Sequence, residues 1–119
     1  MRDFRKYAVW EQSHKLTLQL YQETKSFPKE ELYGLVSQIR RSVTSIPTNI
    51  AEGTAKLSEK DFARFLGISF GSASELEYLM LLSHDLGLIE TKKYESIHQD
   101  IVSIKKQLYH LINKLNAWC

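Results

Sequence analysis

The sequence predicts an all-α protein folded as an up-down-up-down antiparallel four-helix bundle. Three observations carry that expectation. Apolar residues recur at alternating spacings of three and four over most of the chain, the period of a helix with one face in a core. The few turn-forming residues, Pro28, the link from Gly53 to Ser58 and the link from Gly87 to Thr91, divide the chain into four segments. No run alternates apolar and polar residues between turn signals, as a half-buried strand would. With 119 residues, 43% of them hydrophobic and 25% charged, the chain has material for one core, and a single domain over residues 1–119 is expected.

In the first segment Trp10, Ser13, Thr17, Leu20 and Thr24 share one line, flanked by Val9, Leu16 and Tyr21. The second has Glu30 and Glu31 in its first turn, where the helix dipole favours acids, and a stripe through Leu32, Val36, Ile39, Val43, Ile46 and Ile50. Pro47 interrupts that stripe. A proline removes one backbone bond and crowds the preceding turn, so a kink between Val43 and Pro47 is expected, with helix on both sides. The third segment opens on Ser58 with Asp61 three residues on, a capping-box variant. Its stripe runs through Phe62, Phe65, Leu66, Ser69, Ser72, Ala73, Leu76, Leu79, Met80, Ser83 and Leu86, narrow in the middle where small residues let a neighbour approach. Gly87 follows where a left-handed cap is wanted. The fourth is the most regular: Tyr94, Ile97, Ile101, Ile104, Leu108, Leu111 and Leu115, with Thr91 as the expected cap. From Thr91 to Asn116 it would be roughly 39 Å long at 1.5 Å per residue. Short links make each helix run against its predecessor.

Composition narrows function less than fold. No run of 18 apolar residues occurs and the N-terminal stretch is charged, so a cytoplasmic protein without a membrane span is expected. Cys119 is the only cysteine, which excludes an intramolecular disulfide or a thiolate metal cluster within one chain. The net charge of +2 and pI near 8.6 neither demand nor exclude an anionic partner.

Candidate chemistry is sparse. Two Glu-x-x-His pairs, Glu11 with His14 and Glu95 with His98, have the spacing used by two-metal bundle enzymes. They fall beside the core stripes and near the starts of helices that run in opposite directions, so no converging ligand set is expected, and no metal or cofactor. His84 and His110 have no triad partner, and Gly67-Ile-Ser-Phe-Gly71 matches a nucleophile elbow in letters only, without a preceding strand. A non-enzymatic protein is expected. Basic residues are more suggestive: Arg40 and Arg41 on the outer side of the second helix, Lys56 in the next link, Lys60 and Arg64 beyond it, with further clusters at Arg2, Arg5 and Lys6 and at Lys105 and Lys106. Such residues can hold phosphates, or simply form a solvated helix face. Trp10 and Trp118 read as packing residues.

The stretch Gln38-Ile-Arg-Arg-Ser-Val-Thr-Ser-Ile-Pro-Thr-Asn-Ile-Ala-Glu-Gly53 resembles the hallmark of the four-helix bundle proteins encoded by intervening sequences of bacterial 23S ribosomal RNA genes, a family also labelled ribosomal. The resemblance continues through Lys56-Leu-Ser58, Phe62-Ala-Arg-Phe-Leu66 and Gly71-Ser-Ala-Ser-Glu-Leu-Glu77, and Lys56 stands where an arginine is common. It implies a bundle protomer that assembles into a ring, commonly a homopentamer. The family is similar to the accessory variability determinant of diversity-generating retroelements, a basic pentameric barrel that binds nucleic acid and a reverse transcriptase. Within the hallmark, Asn49 and Glu52 would satisfy backbone or partner groups, Gly53 would permit the turn, and Arg40, Arg41 and Lys56 are the nucleic-acid candidates. The leading expectation is a homo-oligomeric adaptor that binds RNA or DNA, with a possible protein partner such as a reverse transcriptase; the alternative is a protein-interaction scaffold. Leu18, Ile68, Leu82 and Leu88 lie off the stripes and are expected at an interface between copies.

Overall fold

The computed structural model describes residues 1–116, so Trp118 and Cys119 lie outside the described residues. Four long helices make the fold: α1 (Ala8–Glu23), α2 (Ser37–Thr54), α3 (Glu59–Asp85) and α4 (Thr91–Asn116), with no strand among the described residues. The molecule is an elongated bundle of 46 × 22 × 20 Å.

Contacts between helices show how they run. Along α1 and α2, Thr17 meets Val43 and Thr24 meets Arg40; along α2 and α3, Ser45 meets Ser72 and Gly53 meets Phe62. On α3 and α4, Glu77 meets Lys105 and His84 meets Thr91, while on α1 and α4, Gln12 meets Ser103 and Glu23 meets Lys93. In every pair the number rises on one helix as it falls on the other, so each helix runs against its sequence neighbour.

The core is built from the predicted stripes. Val36, Ile39, Val43, Ile46 and Ile50 of the second segment, Phe62, Leu66, Ala73, Leu76, Leu79 and Met80 of α3, and Ile97, Ile101, Ile104, Leu108 and Leu115 of α4 are all buried. Ser58 accepts the Asp61 N–H at 3.1 Å, capping α3. At its other end Gly87 has φ +78°, Leu88 N–H donates to Ser83 C=O and Gly87 N–H to His84 C=O, the paired bonds of a Schellman cap. Helical structure is continuous through Pro47. The middle of α3 is narrow as expected: buried Ser69 donates to Ile46 C=O at 2.9 Å, tying α3 to the α2 backbone.

Several local expectations need correction. Leu32 is 44% exposed because residues Leu32–Val36 form a π-turn, whose extra residue rotates Leu32 out of line and buries Leu35 instead. Leu86, at the C-cap, is also exposed. Thr91 lies inside α4 and its hydroxyl meets His84 Nε2 at 3.0 Å. Gly53 does not make a turn: it is within α2, and a Cβ there would lie 3.0 Å from both Phe62 and Phe65, so the glycine serves close approach. Leu82 and Leu88 pack partly against the core, leaving Leu18 and Ile68 as the exposed members of that set.

Candidate nucleic-acid interface

The hallmark basic residues do not form one patch on the protomer. Arg40 is half-buried and engaged with α1: Nε donates to Thr24 Oγ1 at 3.0 Å, Nη2 donates to Tyr21 C=O at 3.2 Å, and the guanidinium lies 4.8 Å from the Tyr21 ring. It holds the end of α1 onto α2. Arg41, one residue on, points to another side of the helix, is exposed and has no hydrogen bond, ion pair or ring contact among the described residues. Lys56 lies beyond the opposite end of α2, past Thr54, which is roughly 21 Å from Arg40 along the axis at 1.5 Å per residue.

Lys56 instead joins residues of α3. Its Nζ is 4.8 Å from the centroid of Phe65, and the Arg64 guanidinium is 4.7 Å from the same centroid. Each contact contributes about 0.5–1 kcal/mol at an exposed site. Two cations share one ring, with exposed Lys60 a helical turn before Arg64. Among the described residues the only acid paired with either cation is Asp61, 3.5 Å from Arg64. Phe65 was legible only as a core position; its half-burial at the edge of the stripe makes it a platform as well.

Other basic residues are committed within the fold. Arg2 donates to the carbonyls of Thr54 and Lys56, pairs with Glu59 and lies 4.7 Å from the Phe62 ring, closing the C-terminal end of α2. Lys105 pairs with Glu77 at 2.9 Å. Of the Glu-x-x-His residues, Glu11 pairs with Lys15, His14 stacks on Trp10 at 5.0 Å, and His98 stacks on Tyr94. Among the described residues no three His, Cys, Asp or Glu side chains are placed to share a metal ion. Ser69, the central residue of the elbow-like string, is fully buried and bonded to backbone. No described helix is long and apolar enough to cross a membrane.

Comparison with known proteins agrees with the resemblance in the sequence. Residues 5–110 match the family described as 23S rRNA-intervening sequence protein. A crystal structure from Bacteroides thetaiotaomicron VPI-5482, of a protein of unknown function from the S23 ribosomal protein family, is similar at a TM-score of 0.82 and 32% identity, over 88% of this chain and 95% of that one. No functionally curated protein matches the chain.

Proposed function

The chain belongs to the 23S rRNA-intervening sequence protein family, and from that premise we propose a non-enzymatic, homo-oligomeric adaptor, a pentamer on the family resemblance, that binds RNA or other nucleic acid through basic residues. The observation that carries the nucleic-acid part is the gathering of Lys56 and Arg64 around one ring, Phe65, beside Lys60, which concentrates positive charge where a phosphate would be attracted. Arg41 supplies a second, separate contact. Arg40 supports both by fixing α1 against α2. Repetition around an assembly would multiply the few phosphate contacts of one protomer.

The outer face of α3 supports assembly. Gly67 and Gly71 lie exposed on it with nothing within 4 Å of an added Cβ, beside exposed Ile68, Tyr78 and Leu81. Two glycines within a helix cost stability that packing inside the protomer does not repay.

Filter-binding titrations with a structured RNA at several salt concentrations test the nucleic-acid reading. Affinity is expected to fall steeply with salt, and the Lys56→Gln/Arg64→Gln variant to bind more weakly with a flatter slope. Salt-independent or absent binding by the wild type would favour the scaffold that holds only protein partners.

A further inference from the structure

We propose that the furrow between α3 and α4 is a site for single-stranded nucleic acid, taking one unpaired base beside Phe70 and Tyr109 and a phosphate at Lys106 and His110. It rests on the nucleic-acid reading above but uses none of the residues that reading names.

The furrow holds a hollow of about 260 Å³ whose lining is largely apolar, with Phe70 of α3 and Val102 and Tyr109 of α4 contributing to it. Sites that enclose whole drug-sized ligands run to roughly 300–1,000 Å³; this one suits a single ring system. Tyr109 is 57% exposed, and its ring contact is edge-on, to His110 at 5.9 Å and 70°, so it is not consumed by the core. An exposed aromatic beside a one-ring hollow is what base stacking requires.

The charges favour an anion over the hollow. Among the described residues Glu77 is the only acid lining it, and Lys105 neutralises Glu77 at 2.9 Å while lying 5.2 Å from the Phe70 ring. Lys106 is exposed and has no ion pair among the described residues, so its charge is uncompensated there. Val102, Lys106 and His110 also line a second hollow, of about 570 Å³, and so form a ridge between the two. A strand crossing that ridge would set its phosphate on Lys106 and His110 with bases to either side. An acidic peptide without an aromatic residue would meet the cations but leave the hollow unfilled. A duplex keeps its base faces stacked and can use only the phosphate contacts, so the site should discriminate single strands from duplex.

Fluorescence anisotropy of the full chain with a labelled decameric oligouridylate, its oligothymidylate counterpart and a duplex of equal length, each at several salt concentrations, tests this. Tyr109→Ala is expected to weaken single-strand binding about 5-fold or more and to leave duplex binding unchanged. Tyr109→Phe, which keeps the ring, should bind as the wild type does, and Lys106→Gln should weaken binding and flatten its salt slope. The two single strands report whether the ribose hydroxyl contributes. If Tyr109→Ala binds single strands as tightly as the wild type while Lys56→Gln/Arg64→Gln weakens binding, the furrow is not the site and the general reading stands. Equal loss for single strand and duplex would also overturn the stacking role. If the wild type binds no nucleic acid, both readings fall.

Discussion

Pro47 shows how a rule readable from one residue is answered by a residue the sequence does not point to. Without an N–H, Pro47 leaves the Val43 carbonyl without its helical donor inside a buried stretch. The hydroxyl of Thr17, from α1, reaches that carbonyl at 3.3 Å while also lying 2.8 Å from Ser13 C=O, so one proton serves both. Thr17→Val is isosteric and should destabilise the fold by about 0.5–1.5 kcal/mol. In a Pro47→Ala background, where residue 47 regains an N–H, the same change should cost less, with a coupling of about 0.5 kcal/mol or more in a chemical-denaturation double-mutant cycle. Strict additivity would mean that the Thr17 bond to Val43 contributes nothing. Arg40 teaches the same lesson: its charge was legible, but it is half-buried against α1 and not on an outer side, and its bonds to Thr24 and Tyr21 join residues 16 and 19 apart in sequence, which no local pattern reveals.

At the scale of elements, Gly53 separates what a helix prefers from what two helices need. Alanine favours helix over glycine by about 1 kcal/mol, yet a Cβ at position 53 would press on Phe62 and Phe65 at 3.0 Å where α2 meets α3. Gly53→Ala is therefore expected to lower stability by about 1–3 kcal/mol in thermal or urea unfolding, and a stabilised variant would show that the contact relaxes freely. The helices themselves were legible because burial follows period: the α4 stripe is buried from Ile97 to Leu108, and Ser58 and Gly87 cap α3 as their chemistry dictates. The π-turn at Leu32–Val36 was not legible, since it changes the period over five residues. Nor was the role of Arg2, a cation by sequence and a clamp on α2 by structure. Arg2→Ala should destabilise by about 1–3 kcal/mol, because its bonds carry a charge, whereas exposed Arg5→Ala should fall within about 0.5 kcal/mol of wild type.

For the whole molecule, the question is what covers α3. The basic candidates read from the sequence are split between the first turns of α2, at Arg40 and Arg41, and the link beyond its far end, at Lys56, because residues close in a motif need not share a face or an end: Arg40 and Arg41 are adjacent, yet of the two only Arg41 is free among the described residues. Assembly would bring the free cations of several copies into one field, and the exposed glycines give that idea a measurable form. In an isolated protomer, replacing Gly67 removes a poor helix former from an open position, so Gly67→Leu should keep or raise helicity. If a second copy lies against this face, the leucine side chain holds the backbones apart and the assembly loosens. Light scattering is expected to give the wild type a mass that is a multiple of 13.9 kDa, five-fold for a pentamer, and to give Gly67→Leu a mass falling toward 13.9 kDa with its circular dichroism intact. A wild type already at the protomer mass would overturn assembly, and an undiminished mass for the variant would move the contact to another face. Because leucine cannot harm the helix on its own account, a loss of mass would report the interface and not damage to the fold.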